Sequence, residues 1–359
     1  MNIYFYHTQD LSRIYKEWQQ GIFPGHLLYG ATHLPKHGID VYMHPFKPFY
    51  NNRLKLSVLT AWRILTSGKK YDILYASSFM GIEILILLRA LRIYRRPIVI
   101  WHHQPIVRAK NSLRELVSRF FYKGIDHAFF FSDNLIAESK KANKMKTERM
   151  EMIHWGADID FYDRVIKETG TKHREGFIST GKERRDMPTL VKAFAETKEK
   201  GAKLDIHIAY GAGKEDYKKI FSTISIPQNV KVNFINGLCP YELSKKVCNA
   251  SCVVISCMPS NYTVGLTTLV EALALGVPVI CTRNDTFAID IDKEGVGITV
   301  PTGDVNAWKN AIEYIITHPD ETQKMGHRAR LLAERLFNLE SYSAEIAHSI
   351  RKVANDLKS

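Results

Sequence analysis

Short apolar runs alternate with helix-patterned stretches twice along this chain, and that rhythm admits few folds. The first series is "NIYFYH", "IDVYMH", "YDILYA", "RPIVIWH" and "DHAFFFS". The second is "GFIST", "KLDIHIAY", "VKVNFIN", "CVVIS" and "VPVICT". Runs this short and apolar suit strands buried on both faces, and helices between them suit the crossovers that parallel strands require. The chain of 359 residues also exceeds what a single core of about 250–300 residues supports. The sequence therefore predicts an α/β protein of two doubly wound Rossmann-like domains facing each other across a cleft. The first spans residues 1–162 and the second 163–340, with a last helix over 341–359 packing back on the first domain. The polar stretch "GADIDFYDRVIKETGTKHREG" is the expected linker, and the tail from Asp304 reads as two or three helices. Ligands of such sheets sit beyond the carboxyl ends of strands, so functional residues are sought there.

Composition narrows the classes. With 45% hydrophobic and 24% charged residues the chain is neither disordered nor membrane-embedded. The most apolar segment, "GIEILILLRALRIYRR", is broken by Glu83 and Arg89, and "MNIYFYHTQD" lacks a signal-peptide layout. A cytoplasmic protein is expected. The five cysteines, 239, 248, 252, 257 and 281, form no C-x-x-C pair and read as reduced core residues. Net charge is +13, and residues 1–165 carry 24 Lys and Arg against 14 Asp and Glu, a net +10. That asymmetry points to an anionic partner for the first half, and a peripheral contact with the inner face of an anionic membrane is expected. No nucleic-acid-binding module accompanies the charge, so nucleic acid is not expected as a partner.

In "VGLTTLVEALALGVPVICT" a carboxylate, Glu271, stands in a helix that is apolar on every side. Gly265 permits close approach at the helix start, and Thr267 and Thr268 add hydroxyls to the first-turn N–H groups, making an anion site. Side chains lean toward a helix N-terminus, so Glu271 reaches back toward whatever binds there. A nucleotide satisfies both features: pyrophosphate at the helix end and ribose hydroxyls on the carboxylate. The plainer alternative is a carboxylate paired with a buried cation. "STGKERRDMPTLVKAFAE" places Lys182, Arg184 and Arg185 at a strand end after Gly181, where cations would neutralise a departing diphosphate.

These segments together resemble the nucleotide-binding half of retaining glycosyltransferases of family 4, glycosyl transferases group 1, which have the GT-B fold. "GKERRDMPTLVKAF" resembles that family's phosphate-binding loop, two residues shorter here, and implies Lys182 as its first cation and Arg185 as its second. "YGAG", with Gly211, resembles a family strand end, and "VNFINGLCPYEL" implies base binding near Gly237 and Leu238. "PSNYTVGLTTLVEALALGVPVI" resembles the donor-site motif, with Thr263, Val264 and Gly265 before the helix and Glu271 as the ribose ligand. The family's first glutamate is replaced by Thr263, which bears on the donor sugar. "FFFSDNLIAESKK" and "MIHWGADIDFYD" resemble the end of the family's first domain.

The resemblance also implies a histidine near the donor sugar, and "PIVIWHHQP" offers His102 and His103. Alternation along a strand sends them to opposite faces, and the count from Pro97 favours His103. The long first loop leads toward a helix near His26, with Gly25 in place of the family's loop glycines. "LLRALRIYRR" and "NSLRELVSRFFYK" have the arginines and aromatics of interfacial helices, although ordinary packed helices show the same pattern. The expected activity is transfer of a sugar from a nucleotide diphosphate sugar, UDP- before GDP-, to a glycan or lipid-linked glycan. Cationic side chains and the helix end would take the place of a divalent ion at the diphosphate, so neither metal nor cofactor is expected. A non-catalytic sugar-nucleotide-binding protein of the same fold is the alternative. A dinucleotide oxidoreductase is disfavoured because no G-x-G-x-x-G follows the first strand.

Overall fold

The computed structural model describes residues 1–45, 52–171, 173–209, 216–235 and 239–356. The chain divides into two compact units: residues 1–20, 25–154 and 339–359 form the first, and 21–24 with 155–338 the second. In the first unit the strands are β1 (Asn2–Tyr6), β2 (Asp40–Met43), β3 (Ile73–Ala76), β4 (Ile98–Trp101), β5 (His127–Phe130) and β6 (Met150–Met152). Its helices are α1 (Leu11–Gln19), α2 (Arg53–Leu65), α3 (Glu83–Ala90), α4 (Ser112–Lys123) and α5 (Asp133–Lys140). The strands pair in parallel in the order β2-β1-β3-β4-β5-β6.

The second unit opens with α6 (Ile159–Thr169) and continues with β7 (Phe177–Thr180), α7 (Met187–Glu196), β8 (Leu204–Ala209), α8 (Tyr217–Ser222), β9 (Val230–Ile235) and α9 (Pro240–Cys248). Then come β10 (Cys252–Ile255), α10 (Leu266–Ala274), β11 (Val279–Thr282), α11 (Ile291–Glu294), β12 (Gly297–Val300), α12 (Val305–Thr317) and α13 (Pro319–Leu336). Its strands are again all parallel, ordered β12-β11-β10-β7-β8-β9. The final helix α14 (Leu339–Asp356) returns to the first unit.

The central strands β3, β4, β5, β7, β10 and β11 are buried along their whole length, which explains why they read as continuous apolar runs. Side-chain caps start most helices. Asp10, Asn52, Asn111, Ser132, Asp158 and Asp186 each accept a backbone N–H two or three residues ahead. Two sequence expectations change. The first helix is α1, capped by Asp10 and buried through Leu11 and Ile14, whereas residues 25–28 near His26 form only one 3-10 turn. The expected linker contains α6, whose Phe161, Tyr162 and Val165 are fully buried and which packs on α9.

Helix α14 is held by a ring stack at the heart of the first unit. Tyr342 lies on Trp101 with centroids 5.5 Å apart, and Trp101 lies on Phe131 at 4.6 Å. Trp101 also donates its Nε1–H to the Tyr75 hydroxyl at 2.6 Å. Tyr342 and Ile346 are 2% and 0% exposed, so removing the ring leaves a void that cannot refill. Tyr342→Ala is expected to destabilise the first unit by about 3–5 kcal/mol, read by urea unfolding, and to make the 339–356 segment the earliest site of limited proteolysis. Unchanged stability with α14 still protected would contradict this packing.

Candidate functional site

In the second sheet the chain leaves β7 toward β8 and β9, then returns on the opposite side of β7 as β10. The strand order thus reverses between β7 and β10, and ligands of doubly wound sheets are held beside the loops that leave the carboxyl ends of such a strand pair. Those loops are residues 181–186 and 256–265. Gly181 turns the first at φ 88°, and a Cβ there would stand 2.4 Å from Arg185 Nη2. Only glycine tolerates both the left-handed backbone and that approach.

Arg185 is 3% exposed and held from several directions. Its Nε donates to Thr180 O at 3.2 Å, Nη1 to Glu183 O and Cys257 Sγ at 3.2 Å each, and Nη2 to Thr268 Oγ1 at 3.1 Å. Its backbone N–H donates to the Tyr217 hydroxyl at 2.9 Å. The guanidinium therefore connects the end of β7 to the loop after β10 and to the first turn of α10. Around it the two loops are zipped together. Asp186 N–H donates to Ser256 O at 3.1 Å, Met258 N–H to Arg184 O at 2.9 Å, and Tyr262 Oη to Glu183 Oε1 at 2.6 Å. The end of β11 joins through Thr282 Oγ1, which accepts from Cys257 N–H at 3.0 Å. Asn284 donates to the Tyr262 and Val264 carbonyls at 3.3 Å. Burial pushes the Cys257 thiol pKa up although Arg185 opposes the shift, so it stays a neutral hydrogen-bond partner.

Helix α10 begins at Gly265, which has φ 91° and supplies no side-chain cap. A Cβ there would meet Ile255 Cγ2 at 2.7 Å. Thr267 is exposed at this end and Thr268 is buried against Arg185. Thr263 O accepts from Leu266 N–H at 3.2 Å, and Val264 is 3% exposed. Glu271 stands one turn in, half-buried, close to the buried Tyr162 hydroxyl of α6. Burial pushes that hydroxyl's pKa well up, and the Glu271 and Asp158 carboxylates add to the shift. Tyr162 went unnoticed in the sequence because it lay in a polar stretch.

Lys182 is half-buried beside this turn. Among the described residues, the ion pairs of the second unit's lysines and arginines fall on Lys192, Lys245, Lys309, Arg328, Arg330 and Arg335. Lys182, Arg184 and Arg185 have no carboxylate partner there, so their charge adds to the positive end of the α10 dipole. Such an arrangement favours an anion. Gly211, Gly237 and Leu238 lie outside the described residues.

In the first unit the two adjacent histidines part. His102 turns into the helix layer, 4% exposed, donating Nδ1–H to Gln104 O at 2.5 Å and accepting from the Tyr122 hydroxyl at 2.9 Å. It stacks on Phe130 at 5.3 Å. Burial lowers its pKa to about 4, outweighing the Gln104 carbonyl. His103 is half-buried at the end of β4, its Nε2–H donated to Ser77 O at 2.8 Å just beyond β3. His7, beyond β1, is pushed down to about 4 by burial and then by His103. His7, Ser77 and His103 thus gather at the carboxyl ends of β1, β3 and β4, beside the point between β1 and β3 where the first sheet reverses its order. Gly25 opens the single 3-10 turn Gly25–Leu28.

Residues 158–332 match the family model described as glycosyl transferases group 1. No curated protein matches the chain. Its fold is that of GT-B glycosyltransferases. It is similar to Alr3699/HepE from Anabaena in complex with UDP, at 17% identity and a TM-score of 0.67, covering 98% of this chain and 100% of that one. It is similar to sucrose-phosphate synthase from Thermosynechococcus elongatus at 16% identity, TM-score 0.73, covering 98% and 99%. WaaG, a glycosyltransferase involved in lipopolysaccharide biosynthesis, matches at 14% identity, TM-score 0.63, covering 97% and 98%.

Two outcomes test the geometry. Gly181→Ala adds left-handed strain and crowds Arg185, whereas Gly303→Ala, at φ 72° with open space around it, adds strain alone. Strain of this kind costs about 1–3 kcal/mol, so urea unfolding should show Gly181→Ala as the more damaging; equal losses would mean that Arg185 is not pinned. His102 protonates near pH 6.5 when unfolded but only near 4 when folded. Its stabilising effect is complete above the unfolded value and is lost as pH falls toward the folded one, at up to about 1.4 kcal/mol per pH unit. His102→Phe should flatten the stability profile between pH 6.5 and 4.

Proposed function

We propose, from a chain whose residues 158–332 match the family model of glycosyl transferases group 1, that the protein is a retaining, metal-independent hexosyltransferase. It takes a UDP-sugar rather than a GDP-sugar as donor and a glycan or lipid-linked glycan as acceptor in polysaccharide or glycoconjugate biosynthesis. It works in the cytoplasm, in peripheral contact with the membrane. The observation that carries this reading is the meeting of cations that have no carboxylate partner among the described residues with the α10 N-terminus where the second sheet reverses. Similarity to a protein whose structures hold UDP and UDP-glucose favours uridine.

The roles differ in kind. Arg185, fixed by hydrogen bonds to its own fold, acts as a permanent positive charge behind the diphosphate. Lys182, which is not so tied among the described residues, closes on the phosphate oxygens as the bond to the sugar breaks. The first-turn N–H groups of α10 share the developing charge, and Glu271 accepts from the ribose hydroxyls. His103, the histidine that the family resemblance implies near the donor sugar, assists at an oxocarbenium-like centre attacked from the side the diphosphate leaves, with retention of configuration. Thr263, where the resembled family has a glutamate, removes a charge beside the sugar and adjusts donor choice.

Hydrogen bonds to a charged group are worth about 1.5–3 kcal/mol each. Glu271→Ala should therefore weaken UDP affinity by about 10- to 100-fold with the fold intact by circular dichroism. Lys182→Ala should lower kcat more than it weakens UDP binding. The assay is release of free nucleotide from a panel of UDP- and GDP-sugars. Binding without turnover by any donor and acceptor would favour the non-catalytic alternative, and undiminished UDP binding by Glu271→Ala would remove the ribose assignment.

A further inference from the structure

The excess charge of this protein lies almost wholly in one segment. Residues 53–124 carry 14 Lys and Arg against 3 Asp and Glu, a net +11 of the chain's +13. The same 72 residues hold most of the large apolar side chains exposed among the described residues. On α2 they are Leu54, Val58, Trp62 and Leu65, at 69%, 47%, 67% and 54% exposure. On α4 they are Leu113, Leu116 and Val117, and between the helices lie Leu91, Ile93 and Val107.

Helix α2 is built inside out. Its buried face is Leu56, Ser57, Thr60, Ala61 and Ile64, mostly small residues, with Ser57 Oγ accepting from Ile84 N–H of the neighbouring helix at 3.0 Å. Its larger apolar residues follow one stripe on the outer side, at spacings of four, four and three. Helix α4 buries fully only Tyr122 and turns Leu113, Leu116 and Val117 outward. Since α2 packs on α3 and α3 on α4, these side chains belong to one three-helix layer. Exposed Lys55, Arg92, Arg95, Arg96, Arg108 and Lys110 accompany them.

We propose that the outer face of α2–α3–α4 inserts into the headgroup region of an anionic bilayer, with α2 and α4 lying in the interface plane. An apolar stripe accompanied by cations has both terms such binding requires: burial of apolar area and attraction to anionic lipid. A second copy of this chain is the poorer occupant, because it would set two strongly cationic faces against each other. A polyanionic nucleic acid would use the cations and leave the apolar stripe in water. No helix among the described residues is long and apolar enough to cross a membrane, so the contact lies on the surface and does not span it. This deepens the membrane contact included in the function proposed above, and it concerns surfaces apart from the donor loops.

The test uses the full chain with phosphatidylcholine vesicles, with and without phosphatidylglycerol. Trp62 is the reporter: Trp101, Trp155 and Trp308 are buried, and the part-buried Trp18 lies on α1, away from the α2–α3–α4 face. Binding to phosphatidylglycerol vesicles should shift tryptophan emission to the blue, and Trp62→Phe should abolish the shift. The charge-neutral triple change Trp62→Ser, Leu116→Ser, Val117→Ser should weaken vesicle sedimentation at least tenfold while UDP affinity stays at the parent value. Failure of UDP binding in the parent would count against the transferase reading alone, because vesicle binding is read separately. The proposal is overturned if the triple variant binds vesicles like the parent, or if the parent ignores phosphatidylglycerol. It is equally overturned if the apolar residues instead maintain a dimer in sedimentation, or if a single-stranded RNA oligonucleotide binds more tightly than the vesicles and independently of them.

Discussion

The candidate site depends on a single buried cation. Removing a guanidinium from water is costly unless its N–H groups find acceptors. Arg185 finds Thr180 O, Glu183 O, Cys257 Sγ and Thr268 Oγ1, none of them a carboxylate. Neutral acceptors satisfy its hydrogen bonds without cancelling its charge. The same contacts fix the end of β7, the loop after β10 and the start of α10 relative to one another. A positive potential and a rigid turn therefore have one origin.

That origin explains the two glycines nearby. Gly181 and Gly265 both adopt left-handed backbone, and at both a Cβ would intrude on a neighbour, Arg185 in one case and Ile255 in the other. The loops come close because those positions have no side chain, and closeness lets the guanidinium reach Thr268. The α10 dipole has its positive end at the same place, so the folded protein concentrates like charge there. Such repulsion is relieved by an anion, and the stored preference becomes binding selectivity.

Much of this was legible in the sequence, for physical reasons. Strands buried on both faces cannot alternate, so their apolar runs mark them, and all ten named runs became strands. Two of the four edge strands, β6 and β12, escaped because segments of three or four partly exposed residues carry little pattern. Strand periodicity separated His102 from His103. It could not say that Tyr122 and Gln104 would satisfy the first, since those partners come from elsewhere in the fold. Helix α6 reads as a linker in the sequence because its glycine flanks and charged residues outweigh three apolar positions. Its Asp158 cap and Phe161, Tyr162 and Val165 make it part of the second core, and with it comes the partner of Glu271.

Helix α2 marks the limit of periodicity as a guide. A hydrophobic stripe says that a helix has an apolar face, but it does not say which solvent that face meets. Residues 53–65 carry two stripes, one of Leu56, Ala61 and Ile64 among small hydroxyls and one of Leu54, Val58, Trp62 and Leu65. Hydropathy alone would assign the core to the stripe with Trp62. The small side chains face the buried ring of Tyr6, whose hydroxyl hydrogen-bonds Thr60, so the inner side of α2 is already occupied and sterics decides the orientation. The bulkier stripe is left outside because the interior is full. Its persistence there, beside a net +11, is what a surface selected for two different environments would show.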